Sequence, residues 1–166
     1  MDTATFDPKK SFSPTEVTKL LNGTSLIPST LLESYERLVF AILAQLDFQV
    51  LFGLEDQNFD ERDGEIHLKY SGQEGPVALQ DLGGADLETL YHKYHDLEQS
   101  PFFGFVRPIV FSAHIKKILL TLGITREITI HPKLALLSGQ QYAQSEEANF
   151  QRATSGVGMA LEIAMG

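Results

Sequence analysis

The chain has 166 residues, of which 43% are hydrophobic with eleven Phe, and it carries a formal net charge of −9. That length suits one domain, which buries roughly 70% of its unfolded surface, and the apolar content is enough to offset chain entropy. The acidic balance argues against non-specific binding to nucleic acid or to an anionic membrane face, and the absence of cysteine excludes disulfides, thiolate nucleophiles and thiolate metal sites within the chain.

The charge is uneven. Residues 1–100 hold eighteen acids against seven bases, a balance of −11, whereas residues 101–166 hold four acids against six bases, a balance of +2. Arg107, Lys116, Lys117, Arg126 and Lys133 account for most of the relief. No window approaches ~18 apolar residues and no apolar leader opens the chain, so a cytoplasmic protein is expected. Residues 1–12 are expected to be a flexible lead-in and residues 13–166 a single domain.

In chain order, Ser13-Pro14-Thr15-Glu16 is a capping box with Pro at the first helical position, and Phe12 and Val17 stand at the spacing of a hydrophobic staple. A first helix should run to about Asn22 and stop at Gly23. A second starts near Pro28 to Thr30 and carries Leu31, Leu32, Tyr35, Leu38, Val39, Ile42, Leu43 and Leu46 as one apolar stripe, with Glu33, Glu36, Arg37 and Gln45 away from it.

Phe48 to Leu54 is short and apolar and predicts a strand buried on both faces. Glu55 to Asp63 reads as an acidic loop, after which Ile66, Leu68 and Tyr70 alternate with Glu65, His67 and Lys69. The two segments predict an antiparallel hairpin with a long connection, and Val77 to Leu82 a further strand. A helix follows from about Asp86, with Leu87, Leu90, Tyr91, Tyr94 and Leu97 on its inner face.

Pro101 to Ile130 is the most apolar window. It predicts a strand from Phe102 to Phe111, a helix capped by Ser112 and stopped at Gly123, and a second strand through Ile128 and Ile130, joined as a right-handed parallel crossover. Pro132 then opens a helix over Leu134 to Leu137, and a last helix starts at Ser145. In it Ala153, Gly156, Ala160 and Ala164 form a stripe of small residues suited to packing within the monomer or against a second copy. The expected fold is α+β in a single domain: two N-terminal helices, then an antiparallel hairpin extended into a mixed sheet of about five strands, with helices packed on the sheet.

No constellation supplies a reaction. Asp56 to Glu61 begins like a calcium loop, but Glu61 stands where the turn needs Gly and His67 where a bidentate Glu is needed. Glu88, His92, His95 and Asp96 could present imidazoles and carboxylates to a metal, yet they also make up the polar face of their helix, so no metal is assigned. Ser112 beside His114 is better explained as a helix cap followed by a first-turn residue than as a nucleophile and its base.

Asp81-Leu82-Gly83-Gly84-Ala85-Asp86-Leu87 resembles the strand-end phosphate loop of actin-like ATPases, and residues 156–161 are similar to their closing helix. The resemblance would imply a nucleotide site at the paired glycines. The chain departs from that family in lacking a second phosphate loop and an adenosine-binding motif, and Asp81 and Asp86 would repel a phosphate there. No residue is carried over and no cofactor is expected.

The function expected is a non-catalytic binding or regulatory domain acting through protein–protein contacts, with another protein or a second copy in a homodimer as partner. No nucleic acid and no membrane is expected. The alternative is a small-molecule binding protein or enzyme for an anionic ligand. Its pocket would lie near Arg107, His114, Lys116 and His131, where positive and titratable residues gather against an acidic background.

Overall fold

The first helix forms where its cap requires. Ser13 Oγ accepts the Glu16 N–H at 3.2 Å and Glu16 Oε1 accepts the Ser13 N–H at 2.8 Å, closing the box at the head of α1, Pro14–Leu21. The structure, a computed structural model, describes residues 7–83 and 85–145. The expected last helix and its small-residue stripe lie outside them.

A short 3-10 turn, Ser29–Leu31, leads into α2, Leu32–Leu43, which is the centre of the core. Its buried residues go beyond the expected stripe to include Phe40, Ala41, Ser34 and Arg37. Arg37 is a correction: it points inward, and its guanidinium donates to the Phe103 carbonyl from Nε at 3.0 Å and Nη2 at 2.8 Å.

The sheet differs most from expectation. Phe48–Gly53 is a short helix, α3, because Asp47 caps it by accepting the Gln49 N–H at 2.7 Å. A short apolar run buried on every side has no periodicity to separate strand from helix. The strand Glu65–Leu68, β2, pairs instead with β1, Phe59–Arg62, drawn from the supposed acidic loop. Asp63 and Gly64 join them with φ of 52° and 79°, the left-handed pair that a two-residue hairpin turn needs. Val77–Ala78, β3, completes an antiparallel sheet of order β1-β2-β3, and Leu79 already begins α4, Leu79–Gly83.

Among the described residues the sheet therefore has three antiparallel strands, not the five of a mixed sheet. The parallel crossover is also absent there. Phe102 and Phe103 lie in a turn, Gly104 has φ +74°, and Pro108 opens α6, Pro108–Thr121, so Pro breaks extended chain and takes the first helical position. Ser112 sits inside that helix. Gly123, with φ +72°, ends it as expected, whereas Ile128 and Ile130 lie in a loop and pack half-buried on the core. The segment expected to end in a phosphate loop likewise carries helix α4 before α5, Ala85–His95.

α7, Leu134–Ala143, packs along α2. A Cβ on Gly139 would stand 2.0 Å from the Ile42 carbonyl oxygen, so the two backbones meet where one residue has no side chain. Around α2, rings fill the remaining space: Phe40 lies 4.8 Å from Phe103, Phe59 lies 4.5 Å from Phe102, and Tyr91 stacks on Phe102 at 5.7 Å. Phe111 of α6 meets Phe48 and Phe52 of α3 edge-on at 5.1 and 5.0 Å, which fixes α6 to the domain.

Candidate functional site

Helix α6 has a covered side and an open one. Phe111, Ile115, Ile118 and Leu122 are buried at three-and-four spacing. On the opposite face lie Ile109, Ala113, Lys116, Lys117 and Leu120, all exposed, with Ile109 at 77% and Leu120 at 75%. Phe105, just before the helix, is 80% exposed. Isolated apolar residues on a surface are ordinary, but here three large ones are exposed on a single helix and the segment leading into it.

Two lysines lie on this open face and Arg107 stands at its head. None of these three cations forms an ion pair among the described residues, and no Asp or Glu occurs between Gln99 and Arg126. Lys9, Lys19, Lys69 and Lys133 likewise have no ion pair among the described residues, whereas other bases are engaged. Arg126 holds Glu16 at 2.6 Å and the Ser11 carbonyl at 2.5 Å, Lys10 pairs with Glu127 at 2.7 Å, and Lys93 pairs with Glu36 at 2.7 Å. Burial of Glu16 acts to raise its pKa, but its hydrogen bond to Arg126, the Ser13 N–H and the Arg126 charge together lower it.

At the C-terminal end of the open face is a hollow of about 450 Å³, lined by Pro28, Thr30, Leu31, His114, Lys117 and Leu120 among others. His114 Nδ1 lies 2.7 Å from Ser34 Oγ of α2. Ser34 is buried, so this contact ties α6 to α2 and does not offer a reachable nucleophile.

Of the four residues expected around one pocket, Arg107, His114 and Lys116 all belong to α6 or its cap. Among the described residues His114 lines the hollow, and Arg107, Lys116 and His131 do not. His131 stands in the chain leading to α7, where its Nδ1 accepts the Lys133 N–H at 3.1 Å beside the Pro132 carbonyl that receives Phe48 N–H. Sequence reasoning took Phe105 and Ile109 as part of a buried strand and did not single out Leu120; all three are exposed, and the helical start at Pro108 was the available sign.

A second hollow, of about 310 Å³, is lined by Asp56, Tyr94, His95, Glu98, Gln99, Ser100 and Phe102. His95 Nδ1 meets Asp56 Oδ1 at 2.7 Å and its ring stacks on Tyr91, while Ser100 Oγ donates to Glu55 Oε1 at 2.6 Å. The serine is thus committed to a carboxylate outside the His–Asp pair. Tyr94 donates to Glu36 at 2.9 Å, and burial followed by the Glu36 charge pushes its hydroxyl pKa up, so it is a neutral donor. Among the described residues no three of His, Asp and Glu are arranged to hold a metal ion, and no helix is long and apolar enough to cross a membrane. No known protein family, no curated protein and no solved structure matches the chain.

Proposed function

We propose that this protein is a non-catalytic binding domain that acts through protein–protein contacts made by the outer face of α6. The observation that carries the reading is that Ile109 and Leu120 on α6, and Phe105 just before it, are each at least three-quarters exposed while the other side of α6 is anchored in the core. Burying such a side chain stabilises a complex by roughly 1.5–3 kcal/mol, and leaving three in water is unfavourable without a partner. Ala113 between them lets another surface come close.

A photo-activated cross-linking residue placed at Ala113 tests this in the cells that make the protein. A discrete adduct is expected, lost in Ile109→Asp and retained in the distant Asp60→Ala. An adduct of two chains would identify the partner as a second copy. A chain that stays uncross-linked would overturn the reading.

The hollow beside His114 and Lys117 favours a second reading, a small anionic ligand held there. Thermal-shift screening against carboxylate and phosphate metabolites separates the two: a rise in Tm that His114→Ala and Lys117→Ala abolish supports the ligand, and a flat response rejects it.

A further inference from the structure

We infer that the outer face of α6 receives an acidic amphipathic helix from a partner protein; this rests on the docking reading above and adds the chemistry of the partner. The form of the partner follows from the backbone. Within α6 the main-chain groups are bonded to one another, so an extended peptide laid along it would gain no ladder of hydrogen bonds. A helix arrives with its own backbone satisfied and can seat side chains against the ridge of Ile109, Ala113 and Leu120. The face is about 21 Å long at the rise of an α-helix, which suits a partner of about four turns. The hollow at the Leu120 end gives one large apolar side chain a place to anchor.

The sign of the partner's charge follows from the cations. Arg107, Lys116 and Lys117 are exposed, have no ion pair among the described residues, and sit in a stretch free of acids within a chain of net charge −9. An acidic partner is repelled by most of this molecule and attracted here, so charge selects the face as well as the partner. A basic helix would find the reverse. Each exposed pair is weak by itself, and three together give about tenfold discrimination.

Two fluorescein-labelled helical peptides of eighteen residues test this against the full chain by fluorescence anisotropy. Both carry the same leucine stripe, flanked by Glu in one and by Lys in its twin. The Glu peptide is expected to bind about tenfold more tightly than the Lys twin. Lys116→Glu with Lys117→Glu should reverse that order, and Ile109→Asp with Leu120→Asp should abolish both, with far-UV circular dichroism showing each variant folded. Equal binding of the twins, lost in Ile109→Asp with Leu120→Asp, would overturn the acidic partner and leave the docking face standing. If neither twin binds, the inference falls, and the Ala113 cross-link decides the docking reading separately. Tighter binding by a synthetic peptide of residues 146–166, which contains Glu146, Glu147 and Glu162, would assign the face to this chain itself and overturn an external partner. Sedimentation with phosphatidylserine vesicles in place of peptide binding would assign it to a membrane surface, with the same consequence.

Discussion

Helices α2 and α6 are both apolar on more than one side, and the domain treats them oppositely. α2 is enclosed by α5, α6 and α7, and it buries even Arg37 and Ser34. α6 is covered on one side and leaves Ile109 and Leu120 in water on the other. Apolar content alone therefore does not state whether a helix is central or peripheral. The difference lies in what its neighbours offer: α2 has a glycine facing it at Gly139 and a carbonyl to receive its buried Arg37, whereas on the outer side of α6 Ile109, Ala113 and Leu120 are left exposed.

The comparison is broken most severely where backbone meets backbone. Gly139→Ala places a methyl group against the Ile42 carbonyl, which cannot rotate away, and should destabilise the domain by about 4 kcal/mol in urea unfolding. Ala113→Leu adds more volume on the open face of α6 and should change stability by less than about 0.5 kcal/mol. Similar effects at both positions would show that α6 is as enclosed as α2.

The two sides of α6 should separate next. Ile118→Ala removes a fully buried side chain and should cost about 3 kcal/mol, whereas Leu120→Ala, two residues on, should leave the unfolding midpoint nearly unmoved. Arg37→Ala sharpens the account of α2. It leaves the Phe103 carbonyl without its donor and opens a gap, and about 2 kcal/mol should be lost with no change at the face of α6.

The smallest effect lies where the N-terminal segment meets the loop after α6. The Glu16 pKa is lowered in the folded chain, so the unfolded state binds the proton more readily. The stability contributed by its pairing with Arg126 is complete above the unfolded carboxylate value and is lost as pH falls through the folded one. Arg126→Ala should cost about 1 kcal/mol at neutral pH and flatten the decline in stability measured from about pH 5 downwards. An unchanged pH profile in that variant would mean that Glu16 is not the titrating group.

How much of this was legible depended on how local the determining contact was. The capping box of α1, the stop of α6 at Gly123 and the alternation of β2 each need residues within a few positions of one another, and each is found as read. The partner of β2 was legible too: Asp63-Gly64 is a strong two-residue hairpin signal, but the charges around it were taken as a loop because β1 buries Phe59 and exposes the other three of its residues. At the candidate site the sequence showed the cations of α6 and placed His114 near them, while His131 lies in the chain leading to α7 and does not line the hollow.

By itself, then, the sequence determined which segments end, turn and alternate, because caps, prolines, glycines and short-range periodicity act through neighbouring backbone groups. It also determined that the chain is acidic with an acid-free stretch from Gln99 to Arg126. Tertiary structure decided that Phe48–Gly53 is helical and that the segment from Pro108 to Phe111 joins α6 with Ile109 in water. Both turn on which surfaces compete for the same apolar side chains. Hydrophobic attraction has no direction of its own, so Ile109 and Phe111 read alike within one apolar run until packing buries Phe111 and exposes Ile109.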